Sequence, residues 1–304
     1  MPADVAARAR EIADGVRSPV MPRDAATVIL VRPAAPSPGS SSPGAEVYML
    51  RRRRSMAFAP GAYVFPGGSV DASDADEHPG GSPPDGWAFP GAAGLGRALD
   101  DAPEHARALA RAAVRETFEE CGVLLAGPSR GTVLGDMTGE GWDADRRALL
   151  DGSLTLARML TRRGLALRAD LLRPWARWVT PEPEERRFDT RFYVTELPVG
   201  QRTSAARGEA DEEAWLRPAS AVAAAEAGTM RLLAPTITTL RELAALGDVP
   251  AILSAGRQIT PLRPRVVLAG RRGRREDPAD DVRERAWLEI PGDASAARNR
   301  DGSR

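Results

Sequence analysis

The chain has 304 residues, of which 42% are hydrophobic, and its 42 basic and 42 acidic residues give a formal net charge of zero. This length fits one large domain with additions or two small domains, and a neutral chain has no global field that recruits nucleic acid or anionic membrane. Lysine is absent and Cys121 is the single cysteine, which excludes a Schiff-base lysine, a P-loop lysine, an internal disulfide and a multi-cysteine zinc site. With no long apolar run and no apolar signal core, we expect a cytoplasmic protein without a membrane span.

The first predicted elements are an N-terminal arm and a β-hairpin. Residues 1–21 alternate alanine with charged residues, which predicts a short helix or a loose arm. The segments 25–32 (AATVILVR) and 46–52 (EVYMLRR) are typical of two strands, joined by a loop rich in Pro, Ser and Gly. Arg51 and Arg52 lie in a basic run at the end of the second strand, where a solvated strand end and contacts to a phosphate group both stay open.

A glycine turn and a long insertion follow the hairpin. Residues 63–65 predict a short strand, and the sequence Pro-Gly-Gly after it forces a turn. The paired glycines Gly67 and Gly68 allow the backbone to approach a ligand closely, and a freed carbonyl oxygen can bind a metal ion. Residues 75–103 are rich in Gly and Pro and have no periodicity, so we expect an insertion that either covers a site or decorates the surface.

Residues 104–121 predict one helix with an acidic C-terminal end. Glu116, Glu119 and Glu120 have the spacing i, i+3 and i+4, so their carboxylates share one face, and Arg115 can pair with Glu119. The apolar residues fall on the opposite face: Ala110, Val114, Phe118 and Cys121. Clustered carboxylates repel one another, so they suggest a bound cation, and oxygen ligands favour Mg²⁺ or Mn²⁺. A solvated acidic face is the alternative interpretation.

The remaining elements alternate between helices and strands. The predicted helices are 140–173, 219–227 and 232–246, and the predicted strands are 175–179, 187–197 and 286–290. Arg187 begins the second of these strands and is a candidate contact to phosphate, with a surface salt bridge as the alternative. The acidic stretch before the helix at 219 supplies candidates for a further metal ligand or base, or forms a solvated turn: Glu209, Asp211, Glu212 and Glu213.

The segment R-E-T-F-E-E-C-G-V, residues 115–123, resembles the second half of the Nudix box, G-x5-E-x7-R-E-U-x-E-E-x-G-U, in which U is aliphatic. Gly68 matches the opening glycine, and Thr117 replaces the first aliphatic residue. The first glutamate of the box is missing, because the insertion separates the two halves. Counting forward from Gly68 reaches Asp74, whereas counting back from Arg115 reaches Arg107. Asp74 and Glu104 are therefore the two candidates to replace that glutamate.

The resemblance implies an α/β fold, the Nudix-type α/β/α sandwich, with a mixed β-sheet and a loop-helix-loop metal site. The expected domain covers residues 22–246, followed by a partly disordered extension at 247–304. A narrower resemblance is to the coenzyme A diphosphatase branch of this family, based on the interrupted box and on the stretches F-A-P-G-A-Y-V-F-P-G-G and R-R-F-D-T-R-F-Y. The signature that precedes the box in other coenzyme A-cleaving Nudix enzymes is present in part, because Gly61 and Phe65 fit it and Ala57 stands where arginine is expected.

The family resemblance also implies an activity, the metal-dependent hydrolysis of a diphosphate linkage in a nucleoside diphosphate derivative. Coenzyme A or acyl-CoA, giving 3′,5′-ADP and (acyl-)4′-phosphopantetheine, is the first expected substrate; ADP-ribose, NADH or another nucleoside diphosphate derivative is the second. A Nudix-fold sensor that binds a nucleotide without cleaving it is the alternative from another class. The expected partner is the small-molecule substrate, with neither nucleic acid nor membrane, and a homodimer stays open.

The expected site residues fall into three sets, of which the family pattern implies the metal ligands with the general base and the orienting arginine. The metal ion, Mg²⁺ or Mn²⁺, is expected to bind Glu116, Glu119 and Glu120 together with the carbonyl group of Gly67 or Gly68. One of the three glutamates is expected to act as the general base. Arg115 orients Glu119, and the substrate contacts are expected from Arg51, Arg52 and Arg187.

Overall fold

The structure is a computed structural model that describes residues 3–36, 43–56, 59–75, 92–99, 101–129, 131–137, 139–206, 210–268 and 286–291. The chain forms two compact units. The larger unit comprises Ala25–Ala176 and Arg191–Thr260, and the smaller comprises Met1–Asp24, Arg177–Thr190 and Pro261–Arg304. Both halves of the interrupted box lie in the larger unit.

The described residues form twelve strands, numbered in chain order: β1 (Arg23–Pro33), β2 (Ala45–Arg52), β3 (Tyr63–Val64), β4 (Gly67–Ser69), β5 (Ala126–Gly127), β6 (Ala166–Leu167), β7 (Arg173–Val179), β8 (Phe188–Glu196), β9 (Ala210–Leu216), β10 (Pro261–Leu262), β11 (Arg265–Leu268) and β12 (Ala286–Glu289). The same residues form nine α-helices: α1 (Ala3–Ala13), α2 (Ala72–Ala75), α3 (Ala92–Leu99), α4 (Pro103–Cys121), α5 (Glu140–Leu150), α6 (Leu156–Arg163), α7 (Pro218–Glu226), α8 (Ala234–Leu246) and α9 (Val249–Ser254).

The larger unit is built on a sheet with the strand order β7-β8-β1-β2-β3, to which β4 adds on β1 and β9 adds on β2. The predicted hairpin is present, because β1 and β2 pair antiparallel with Val31 opposite Val47. Val28 and Leu30 of β1 belong to the core cluster that also contains residues of α4. Alternate side chains of a strand point to opposite faces, and Ile29 is also fully buried, so both faces of the sheet are covered.

Helix α4 confirms the predicted acidic helix and begins one residue earlier than expected, at Pro103. Proline suits this first helical position because its missing N–H would have no partner within the helix. The helix ends at Gly122, which has a left-handed φ of 72° and donates its N–H to the Phe118 carbonyl at 2.9 Å. The expected apolar face is in the core, since Val114, Phe118 and Cys121 are at most 1% exposed.

Two other predicted elements differ from the structure. The single helical region expected at 140–173 contains two helices, α5 and α6, and then the short strand β6, because Gly164 ends α6 with a left-handed φ of 63°. The acidic stretch is β9 rather than a turn, and it pairs antiparallel with β2, with Glu213 opposite Leu50. Hydrogen bonds to a neighbouring strand outweigh the low strand propensity of these acidic residues. The first residue of the stretch, Glu209, lies outside the described residues.

The smaller unit contains the N-terminal arm, in which α1 is a helix that packs against β11. In this unit Arg8 of α1 donates to the Pro183 carbonyl at 2.6 Å, β10 pairs parallel with β7, and β11 pairs antiparallel with β12. The predicted final strand is therefore present as β12. The central part of the insertion, 76–91, lies outside the described residues. Within the described ranges, no helix is long and apolar enough to cross a bilayer.

Candidate active site

The two halves of the interrupted box meet where β4 lies against α4. The Gly67 N–H donates to Oε2 of Glu120 at 2.9 Å. A Cβ atom on Gly68 would overlap the carboxylate of Glu116, and a Cβ atom on Gly67 would overlap the Ala26 carbonyl oxygen. Gly67 is required by the close approach of a strand backbone, whereas at Gly68 a methyl group would displace the flexible carboxylate of Glu116. Gly67 and Gly68 thus belong to a strand, β4, rather than to the predicted turn, and they are neighbours in space of two predicted metal ligands.

Arg115 is the centre of the hydrogen bonds that hold this site together, and it is 5% exposed. Its Nη1 donates to Oε1 of Glu116 at 2.8 Å and to Oε2 of Glu119 at 3.2 Å. Its Nη2 donates to the Ser69 carbonyl at 2.9 Å and to Oδ2 of Asp74 at 2.9 Å, and its Nε contacts the same carboxylate. The predicted pairing of Arg115 with Glu119 is present in the structure, together with three partners that the sequence spacing of the helix does not show.

Asp74, one of the two candidates to replace the missing glutamate, lies in this site. It lies on α2 and is 2% exposed, and its Oδ2 also accepts the N–H of Asp71 at 2.9 Å. Glu104, the other candidate, is an exposed residue at the start of α4 that pairs with Arg107 at 3.0 Å. Of the two candidates, only Asp74 contacts Arg115 among the described residues. The feature of the sequence that indicated Asp74 was its spacing from Gly68, because it stands where the box places its first glutamate.

Burial is the main influence on the titration of the carboxylates in this site. Burial raises the pKa of Glu116, and it raises the pKa of Glu119 to about 7, although the charge of Arg115 opposes both shifts. Burial by itself lowers the pKa of Arg115, but the hydrogen bond with Asp74 and the charge of Glu116 raise it overall. Arg115 therefore stays charged, and the surplus negative charge favours a cation.

The carboxylates fit a divalent cation by their chemistry, since all the predicted ligands are oxygen atoms and such sets select hard ions. As the side chains stand, no three acidic, histidine or cysteine residues in the described ranges converge on one point. Glu116 and Glu119 are turned to Arg115, and Glu120 is turned to the Gly67 N–H. Binding a metal ion through all three glutamates therefore requires their side chains to rotate away from these partners.

Cys121 is a packing residue. It is fully buried in the core cluster, and its Sγ donates to the Thr117 carbonyl at 2.9 Å. Burial raises the pKa of this thiol to about 12, which leaves almost no thiolate at neutral pH. The side chain therefore has no role as a nucleophile, as its position on the apolar face of the helix predicted.

The acidic candidates on β9 are bound to groups of the adjoining strand and loop. Glu212 pairs with Arg51 at 2.9 Å. Asp211 pairs with Arg53 at 3.6 Å. Glu213 accepts the hydroxyl hydrogen of Tyr48 and the N–H of Ala205. These contacts give each described member of the acidic stretch a partner within the larger unit.

The three arginines predicted to contact substrate have different surroundings. Arg51 and Arg52 lie at the end of β2 in the larger unit, and the Nε of Arg51 is buried with no hydrogen-bond partner among the described residues. Arg187 belongs to the smaller unit, where its Nε donates to the Thr180 carbonyl at 3.1 Å and its Nη1 donates to the Val20 carbonyl at 2.6 Å. These hydrogen bonds of Arg187 thus go to backbone carbonyl groups of its own unit.

Comparison with known proteins shows the family to which this site belongs. The family described as the NUDT19 Nudix domain matches residues 94–243. The acyl-coenzyme A diphosphatase NUDT19 of Gallus gallus is 29% identical over 245 residues, covering 66% of this chain and 62% of that protein. Its namesake in Homo sapiens is 32% identical over 214 residues, covering 57% and 55%. The chain thus spans less than two thirds of the length of these curated relatives.

A solved structure agrees with these matches. The crystal structure of a NUDIX hydrolase from Alicyclobacillus acidocaldarius has a TM-score of 0.62 and 29% identity, covering 79% of this chain and 98% of that one. The chain is therefore a member of the Nudix hydrolase family, and the predicted α/β fold with a mixed sheet and flanking helices is confirmed. Within the family, it is similar to the coenzyme A diphosphatase branch, as the interrupted box indicated.

Proposed function

We propose that this protein hydrolyses the diphosphate linkage of coenzyme A or an acyl-CoA, using a divalent cation, Mg²⁺ or Mn²⁺. The observation that carries the proposal is the buried network around Arg115, which gathers Asp74, Glu116 and Glu119 beside β4. Carboxylates gathered in this way would supply oxygen ligands to a cation, which would in turn bind a diphosphate. The substrate class rests on the similarity to relatives, two of which are acyl-coenzyme A diphosphatases.

The chemical step is attack of water on one phosphorus atom of the diphosphate. A bound divalent cation would neutralise the phosphate oxygens and acidify the attacking water. A new bond forms between that phosphorus and the water oxygen, the bridging P–O bond breaks, and the water proton passes to a carboxylate acting as base. With coenzyme A the products are 3′,5′-ADP and 4′-phosphopantetheine.

The residues of this chain would divide the work as follows. Glu116, Glu119 and Glu120 supply oxygen ligands, and one of the three takes the proton. Arg115 limits the rotation of Glu116 and Glu119 before the cation binds, because one guanidinium nitrogen contacts both carboxylates. Because the two carboxylates must rotate away from Arg115 to reach a cation together with Glu120, these hydrogen bonds would be released when the cation binds.

The proposal is tested with the full chain and a panel of diphosphates at fixed concentrations of Mg²⁺ or Mn²⁺. The panel contains coenzyme A, a short and a long acyl-CoA, ADP-ribose and NADH, and the products are identified by mass spectrometry. We expect 3′,5′-ADP from the coenzyme A substrates at the highest kcat/KM, and no product when the cation is chelated.

Matched variants test whether the catalytic glutamates lie on α4. Glu119→Gln and Glu120→Gln keep the shape of the side chain but remove its charge, and we expect each to lower kcat by about 10² or more. Glu140→Gln, at an exposed position on the adjacent helix α5, is the control and should keep wild-type activity. A preference for ADP-ribose or NADH would contradict the proposed coenzyme A substrate. Binding of a nucleotide without cleavage of any diphosphate would contradict an enzymatic function and favour a nucleotide sensor.

A further inference from the structure

The C-terminal end of α4 has a partner for each of its last four carbonyl groups. These groups cannot be satisfied within a helix, and a helix end that is buried needs donors from elsewhere. The donors come from three parts of the larger unit: Gly122 N–H to Phe118, Arg146 Nε to Glu119, Ala206 N–H to Glu120 and Ser204 N–H to Cys121, at 2.9, 2.8, 2.9 and 2.9 Å. Two of the carbonyls thus bound belong to the predicted ligands Glu119 and Glu120.

Residues 204–206, which we call the cap segment, supply two of these donors. Arg146 of α5 connects the cap segment to the helix a second time, because its Nε donates to the Glu119 carbonyl and its Nη2 donates to the Ser204 carbonyl at 2.7 Å. Its positive charge also lies at the negative end of the helix dipole, where a cation is stabilising. The cap segment and Arg146 therefore fix the last turn of α4 from outside.

The start of this loop is fixed by Gln201, which is 5% exposed. Its Oε1 accepts the N–H of Leu124 at 2.9 Å, and its Nε2 donates to the Leu124 carbonyl at 2.9 Å and the Leu134 carbonyl at 2.8 Å. All of its amide groups are thus used on the chain that follows α4. This anchors the loop three residues before the cap segment begins.

Glu213 holds the middle of the cap segment. Its Oε2 accepts the N–H of Ala205 at 2.6 Å and the hydroxyl hydrogen of Tyr48. Tyr48 is fully buried in β2, and Trp215 packs against its ring with a centroid distance of 5.4 Å. One carboxylate oxygen is therefore bound to a fixed strand and to the cap segment at once.

We propose that Glu213 is a positioning residue, which holds the cap segment against the end of α4 and thereby fixes the main chain at Glu119 and Glu120. The role in catalysis rests on the proposed function, whereas the structural part of the inference does not. The sequence offered Glu213 as a metal ligand or base, and the contacts of its Oε2 assign it this structural task instead.

The test compares Glu213→Ala, Glu213→Gln and Tyr48→Phe in the full chain. Glutamine keeps an oxygen that accepts both hydrogen bonds, phenylalanine removes one donor, and alanine removes the acceptor. Glu226→Gln is the control, because this exposed glutamate pairs on the surface with Arg241. Hydrogen exchange measures opening of the amides at 204–206, and kinetics with a saturating diphosphate measures kcat and the cation concentration that gives half-activation.

The expected result is faster exchange at the cap segment in Glu213→Ala, a smaller increase in Tyr48→Phe and none in Glu213→Gln. In parallel, Glu213→Ala should lower kcat by about tenfold and need more cation, because small displacements of reacting groups are costly. Glu213→Gln should recover kcat to within about twofold of wild type and keep the acid limb of the pH profile, since an amide that restores geometry cannot restore a base.

Two results would overturn the inference. One is unchanged exchange at the cap segment in Glu213→Ala, which would show that the carboxylate does not hold it. The other is a loss of kcat in Glu213→Gln as large as in Glu213→Ala, which would make Glu213 a direct ligand or base. Failure of the wild-type chain to cleave any diphosphate would instead contradict the proposed function, and the exchange measurements would still decide the structural part.

Discussion

Asp74 and Arg115, at the two sides of the insertion, form a buried ion pair in which Nη2 and Oδ2 are 2.9 Å apart. The side chains are 2% and 6% exposed, so neither charge is hydrated to any extent. A buried pair of this kind is costly to break by removal of one partner, because the other charge stays buried. The pair thus connects the part of the box before the insertion to the helix after it.

Replacing Asp74 tests this connection. We expect Asp74→Ala to lower the free energy of unfolding by about 3 kcal/mol, since Arg115 loses the carboxylate that binds both its Nε and its Nη2. Because Arg115 then has fewer restraints, kcat should also fall. Denaturant unfolding and steady-state kinetics measure the two effects.

Glu104→Gln is the matched control for Asp74, since the sequence offered both residues as replacements for the missing glutamate. Glu104 is exposed and, in the part of the chain that the structure describes, pairs with Arg107 of its own helix, so we expect a change in unfolding free energy within about 0.5 kcal/mol and an unchanged kcat. A larger effect of Glu104→Gln than of Asp74→Ala would show that the wrong residue had been assigned.

Gly67 and Gly68 of β4 should respond differently to substitution by alanine. A methyl group on Gly68 meets the flexible end of Glu116, so Gly68→Ala displaces a predicted ligand and should lower kcat at least tenfold with little loss of stability. A methyl group on Gly67 meets the backbone of Ala26 and the Cα of Thr27 at 2.7 Å, so Gly67→Ala should cost about 1–3 kcal/mol of stability. Thermal unfolding beside kinetics separates the cases, and equal losses of stability would contradict the distinction.

Arg51 and Arg187 should also separate in experiment. The Nε of Arg51 has no hydrogen-bond partner among the described residues, so Arg51→Gln should raise KM for the substrate severalfold at an unchanged kcat. The donors of Arg187 are used by the carbonyls of Thr180 and Val20, so Arg187→Gln should lower stability by about 1 kcal/mol and leave KM unchanged. A raised KM in Arg187→Gln would restore its predicted role in substrate binding.

Cys121 should make stability depend on pH in the alkaline range. Burial raises the pKa of its thiol from 9.0 to about 12, so the folded chain holds this proton more tightly than the unfolded chain. The resulting stabilisation is complete below about pH 9 and is lost as the pH rises towards 12. Urea unfolding at pH 8 and pH 10 should therefore show a drop about 1 kcal/mol larger for wild type than for Cys121→Ala. Equal drops in the two proteins would contradict the assigned pKa.

Some elements could be predicted from the sequence because the spacing or type of their own residues indicates them. The helix α4 and its two faces follow from the spacing of Val114, Phe118 and Cys121 against that of the glutamates, because residues three and four apart are neighbours on any helix. The β1–β2 hairpin follows from two β-branched or aromatic runs. In each case the signal and the structure that it predicts involve the same few residues.

Contacts between distant parts of the chain had no such signal. The sequence left Asp74 and Glu104 as two candidates to replace the missing glutamate of the box. It left Glu213 either as a further metal ligand or base or as part of a solvated turn. Hydrogen bonding of β9 to β2 decided that Glu213 meets Tyr48 and the cap segment.

The sequence by itself thus determined the family, the acidic helix and the arginine that precedes its glutamates, because those features depend on spacing within one element. Only the tertiary structure decided which carboxylate from before the insertion binds Arg115, and which groups hold the end of α4. These contacts depend on burial, since a charge or a carbonyl removed from water must find a partner wherever the folded chain brings one.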